Sequence, residues 1–201
     1  MTTSRQHRIA YGLVALVALA PSLAACGGDD KPGSRSTPTT ASATTPTNAE
    51  QYAEATDVYR RWLALTDQTT VKKGATLPPS ATQLATPKAI ESANDSNREF
   101  WAPREQPAFT IVRATLTTTL LGTTGKEVRY AAEGPDSNTL ALQVCMKSDG
   151  HSYNKAGKDL RVQANNFSGI VTFRTSDDGR TWKVDDQSNI KEGSKCTATA
   201  P

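Results

Sequence analysis

The chain has 201 residues, only 36% of them apolar, and its 23 Lys and Arg against 20 Asp and Glu give a formal charge of +3. That length suits one domain of moderate size with tails. No basic stripe and no basic–aromatic interleaving stands out along it, which argues against nucleic acid as a partner.

Residues 1–25 read as an address. Met1 to His7 is polar and carries Arg5, Arg8 follows, and Ile9 to Ala20 (IAYGLVALVALA) is an apolar run ahead of Pro21 and small residues. A basic start, a short apolar centre and a small-residue end make a secretory signal. The run is too short to span a bilayer, which takes about 20 apolar residues. Leu23-Ala24-Ala25-Cys26, followed by Gly27, resembles the bacterial lipobox. The resemblance implies that the Cys26 thiol receives diacylglycerol and that the signal peptidase cuts just before it. The chain would then sit on the outer face of the cell membrane, lipid-anchored. Two or more acyl chains anchor stably, at about 0.8 kcal/mol per buried CH2, whereas one short chain holds only marginally.

Residues 26–47 join the lipidated cysteine to GGDDKPGSRSTPTTASATTPT, a Gly/Ser/Thr/Pro stretch without a large apolar side chain. It cannot bury enough surface to offset its ordering entropy and reads as a disordered tether. Loss of Arg5 and Arg8 with the leader leaves 21 basic against 20 acidic residues, so the mature chain is nearly neutral. Assigning Cys26 to lipid leaves Cys145 and Cys196. In an exported protein such an even pair reads as a disulfide. It would contribute roughly 4 kcal/mol for a loop of about 50 residues.

Residues 48–201 are the expected α+β domain. Thr47-Asn48-Ala49-Glu50 is a capping box, and behind it Tyr52, Ala55, Val58, Tyr59, Trp62 and Leu65 recur at helical spacing. These predict an amphipathic helix of about 18 residues whose aromatic stripe belongs to the core. Thr69 to Pro79 reads as a loop, Ser80-Ala81-Thr82-Gln83 as a second capping box, and Thr86-Pro87 as the start of another helix with Pro in first position. From Pro107 on the period becomes two. Strands are expected at Phe109 to Leu121, at Lys126 to Glu133 through a Gly122–Gly125 turn, and at Asn138 to Lys147. Three more follow at Leu160 to Ala164, Ile170 to Thr175 and Thr181 to Asp185, with Asp177-Asp178-Gly179 as a hairpin turn. Leu140, Leu142, Val144 and Met146 share one face of the third strand and Cys145 takes the other. Helices followed by an antiparallel meander give the α+β class.

This order of elements resembles small lipoproteins of actinobacterial type, in which a lipobox and tether precede a nuclear-transport-factor-like (SnoaL-like) cone domain. The resemblance rests on Tyr52, Tyr59 and Trp62, on Leu84-Ala85-Thr86-Pro87, and on Leu142-Gln143-Val144-Cys145. It continues through Tyr153-Asn154-Lys155-Ala156-Gly157-Lys158, Trp182-Lys183-Val184 and Cys196. Such proteins often carry an acidic residue two after the first cysteine, where this chain has Lys147. The resemblance implies N-terminal helices packed on a curved antiparallel sheet around a conical cavity, with Tyr59, Trp62 and Tyr130 as candidate cavity residues. It also implies a bridge from sheet to tail through the cysteines. The fold hosts enzymes, binders and inert scaffolds alike, so it does not decide function.

Chemistry-bearing constellations are few. His7 lies in the leader, and His151, in Ser148-Asp149-Gly150-His151, reads as a solvated turn residue. A serine hydrolase needs a G-x-S-x-G elbow, which the chain lacks, and zinc needs three or four ligands. Asp177-Asp178 and Asp185-Asp186 read as solvated turn residues without calcium-loop spacing. No catalytic residue, metal or cofactor is expected. Two functions remain. One is a non-catalytic binding or accessory module for an envelope protein or a small apolar ligand. The other is a SnoaL-like cavity enzyme, isomerase or hydrolase in type, for which Tyr59, Tyr130 and Asp136 would be offered. Convergent ionisable groups in the cavity would favour the enzyme, and an apolar cavity the binder.

Overall fold

A computed structural model of the chain describes residues 46–129, 138–175, 180–193 and 195–196. Helix α1 (Asn48–Thr70) opens on the expected capping box: the Thr47 hydroxyl accepts from the Glu50 N–H, and Glu50 accepts from the Thr47 N–H at 2.7 Å. It outruns the predicted length because Thr66 and Thr69 extend the packed face. The Ser80 box does not form. Pro79–Gln83 is a single 3-10 turn behind Pro78, without a side-chain cap. Thr86 caps helix α2 (Pro87–Phe100), accepting from the Ala89 N–H, and Trp101 ends it.

The sheet is antiparallel and five-stranded: β1 (Arg113–Arg129), β2 (Asn138–Tyr153), β3 (Asp159–Thr175), β4 (Lys183–Asp186) and β5 (Lys191–Glu192). Strands follow in the order β1-β2-β3-β4, and β5 pairs with β3. With two helices packed on this sheet the fold is α+β. The strands are fewer and longer than expected. Gly122 to Gly125 is no turn but part of β1, which bulges after Leu120 and after Gly125. Bulges bend a strand without ending it. Phe109 falls in a 3-10 turn (Pro107–Phe109) ahead of the strand, half exposed. The two segments predicted near Leu160 and Ile170 are one strand. Ser148-Asp149-Gly150-His151 is likewise strand, with Gly150 opposite Leu116 and His151 opposite Thr115. The Asp177-Asp178-Gly179 turn lies outside the described residues.

The core forms where α1 crosses the sheet. Tyr59, Trp62, Leu140, Leu142, Val144, Val171, Phe173, Trp182 and Val184 are all essentially inaccessible to solvent. Tyr59 meets Phe173 edge to face, with centroids 6.2 Å apart. Residues 84–86 run beside β4: the Thr86 N–H donates to Val184 O at 2.8 Å, and the Val184 N–H to Leu84 O at 2.9 Å. After β4 the chain returns to cross β3 at Gly169, where a Cβ would lie 2.7 Å from the Ile190 Cα and 2.8 Å from the Asn189 carbonyl carbon. The absence of a side chain there lets two backbones touch. Among the described residues, no helix is long and apolar enough to cross a membrane.

Candidate functional site

Between α1, α2 and the helix-facing side of the sheet lies an open groove of about 500 Å³. Helix α1 supplies Tyr59, Leu63 and Asp67, four apart and therefore stacked on one face. Helix α2 adds Lys88 and Ser92, the sheet adds Met146 and Phe167, and the segment after β4 closes the last side with Gln187 and Ile190. A smaller recess of about 100 Å³, walled by Phe100, Ala114 and Leu116, shares Ser148 and Phe167 with the groove. The floor is thus apolar and the rim polar, the usual build of a small-molecule site.

The rim groups are tied to the protein. The Tyr59 hydroxyl donates to the Met146 sulfur (3.3 Å) and to Gln187 Oε1 (3.4 Å). Burial pushes its pKa upward, so it stays a neutral donor. Lys88 Nζ donates to Asp186 Oδ2 at 2.7 Å. That hydrogen bond, helped by those from Ser188, holds the Asp186 carboxyl down at about 2. Asp185, buried, accepts from the Thr86 hydroxyl at 3.0 Å and from Arg174 Nε at 2.9 Å. Asp67 differs: it accepts from the Thr118 N–H (2.5 Å) and hydroxyl (2.9 Å) and has no cationic partner among the described residues. Half-burial raises its pKa, and the two hydrogen bonds only partly offset that.

The sequence-derived residues scatter. Tyr59 does line the groove, whereas Trp62 is pure core and its indole N–H has no hydrogen-bond partner. Cys26, Leu23, Ala24, Ala25, Tyr130 and Asp136 lie outside the described residues. Cys145 is buried on the far side of β2, opposite Ser168, and Cys196 is exposed; both are free thiols in the structure. They are neighbours nonetheless. Ser168 Oγ donates to Lys195 O at 3.3 Å, and interaction with Cys145 pushes the Cys196 thiol up to about 11. His151 is a strand residue on the other side of the sheet from the groove. Its Nδ1 lies 2.7 Å from Asp159 Oδ2 and its ring stacks on Tyr153. No group of three or more His, Cys, Asp or Glu among the described residues could hold a metal ion.

Asp185 and Asp186, expected as solvated turn residues, are instead strand residues of β4, Asp185 buried against Thr86 and Arg174 and Asp186 bonded to Lys88, whereas Asp67 and Lys88 belong to no motif of the sequence. Asp67 did leave a signal, because it stands where the Tyr59–Leu63 stripe calls for another apolar residue. Lys88 left none: its partner is 98 residues away. No protein-family model matches the chain, and no curated protein is similar to it in sequence.

Proposed function

We propose that the chain is a lipid-anchored lipoprotein, held on the outer face of the cell membrane through Cys26, whose SnoaL-like domain binds a small apolar ligand without transforming it. The anchor rests on Leu23-Ala24-Ala25-Cys26 behind its apolar leader. In the oxidising space outside the membrane, Cys145 and Cys196 join as a disulfide. The observation that carries the binding role is the groove itself: an apolar floor within a rim whose Lys88, Asp185 and Asp186 are engaged with one another or with neighbours. Groups so engaged wall the groove and leave its floor to an apolar ligand. A cavity enzyme is the second reading, and Asp67, a half-buried carboxylate without a cation beside it among the described residues, is the observation in its favour.

A neutral fluorescent probe, N-phenyl-1-naphthylamine, tests the binding role. The full chain should take it up saturably, one per chain, and Ser92→Trp, which places an indole at the groove mouth from an exposed position, should abolish uptake while leaving the circular dichroism unchanged. Equal uptake by both proteins would place the probe elsewhere and remove the reading.

A further inference from the structure

Resting on the groove as a binding site, we propose that its ligand is an amphiphile with a cationic head, a protonated amine seated against Asp67 with its apolar chain along the floor. Of the ionised groups on the groove wall, Lys88 offsets Asp186 at 2.7 Å, and Arg174 offsets Asp185 at 2.9 Å. Asp67 has only the uncharged Thr118 donors, so it leaves the wall one negative charge in excess among the described residues. A carboxylate offers about four lone-pair directions, and Thr118 takes two. The others remain for a ligand donor.

The surroundings set the rest of the ligand. Leu63, Met146, Phe167 and Ile190 make the apolar stretch of wall, and the recess beyond Ser148 and Phe167 is lined by Phe100, Ala114 and Leu116. An anionic head would meet an unbalanced carboxylate and find the Lys88 ammonium already bonded. A neutral chain would forgo the charge. In a site partly shielded from water, a charge-assisted hydrogen bond to an ammonium is about twice as strong as a neutral one. The floor accounts for affinity, and Asp67 accounts for the choice of head.

Three octyl compounds with one chain and different heads separate these contributions: octylammonium, octanol and octanoate, titrated calorimetrically into the full chain. Octylammonium should bind about ten-fold tighter than octanol, and octanoate weakest. Asp67→Asn keeps an acceptor for Thr118 and should erase the preference while leaving octanol affinity within about two-fold. Lys88→Met, which frees Asp186 as a second carboxylate, should widen the preference and covers the case in which Asp67→Asn does not fold. Equal affinity for all three heads, or a preference that survives Asp67→Asn, overturns the proposal while leaving the groove as a site for neutral ligands. Failure of every octyl compound to bind overturns both readings.

Discussion

Adding one methyl group at Gly169 gives a sharp test of how the groove is closed. The new Cβ of Gly169→Ala would meet the Ile190 Cα at 2.7 Å and the Asn189 carbonyl carbon at 2.8 Å. Both are backbone atoms, which cannot rotate aside as a side-chain tip would. If the crossing segment stays, overpacking costs about 1–3 kcal/mol. If it lifts away, it forfeits the β5 pairing and the Gly193 N–H bond to Asn166 O, at about 1 kcal/mol per hydrogen bond, and the half-burial of Ile190, about 1 kcal/mol more. The cost is therefore about 1–3 kcal/mol, and for a domain of this size that is about 2–12 °C in Tm. Urea unfolding of the full chain, followed by circular dichroism, measures it. Gly150→Ala is the comparator, because there the nearest atom is the Leu116 Cδ1 at 3.1 Å, which can yield, and the cost should stay below about 1 kcal/mol. A Gly169→Ala variant within about 0.5 kcal/mol of the parent, or a larger cost for Gly150→Ala, would refute the backbone contact as what closes the groove.

Cys26→Ala should move the protein from the membrane fraction into the medium; cofractionation with membranes as in the parent would refute lipid attachment there. Cys196→Ser should lower the stability of oxidised protein by about 3–4 kcal/mol and that of fully reduced protein by far less, and an equal loss in both would mean that no bridge forms. The Asp186 carboxyl, held down at about 2, adds stability above its ordinary range that is lost as pH falls from about 4 toward 2. Asp186→Asn should therefore flatten the acid limb of the stability curve, by about 1 kcal/mol or less because its Lys88 partner is mostly exposed. Asp67 acts with opposite sign: with its pKa raised, its contribution is greatest at low pH and shrinks as pH rises past the usual carboxylate range. An acid limb of Asp186→Asn that matches the parent's would discount the Lys88 bond.

What could be read from the sequence was whatever local pattern decides. The Thr47–Glu50 box, the Tyr52-to-Leu65 stripe, Thr86-Pro87 and the Leu140-to-Met146 alternation each act within a few residues, and each element formed. Glycines misled, since Gly122, Gly125 and Gly150 read as turns and stand inside strands. Their reason is tertiary: at Gly125 the Tyr52 ring occupies the space a Cβ would need, and at Gly150 Leu116 crowds in from the opposite strand. The candidate site was less legible for the same reason. Asp67 meets Thr118 across 51 residues and Lys88 meets Asp186 across 98, and no spacing rule reaches that far.

The seventeen residues of β1 stand at one end of the strand order and pair with β2. An open sheet edge is an invitation to a neighbouring chain's strand. Were copies held by acyl chains in one leaflet, as proposed, they would meet far more often than copies in solution, and an open edge would matter more. The two bulges break the edge into short, differently twisted runs, and Asp67 occupies the Thr118 N–H that a docking strand would use. The carboxylate proposed to select a ligand thus also takes up a backbone donor of the end strand.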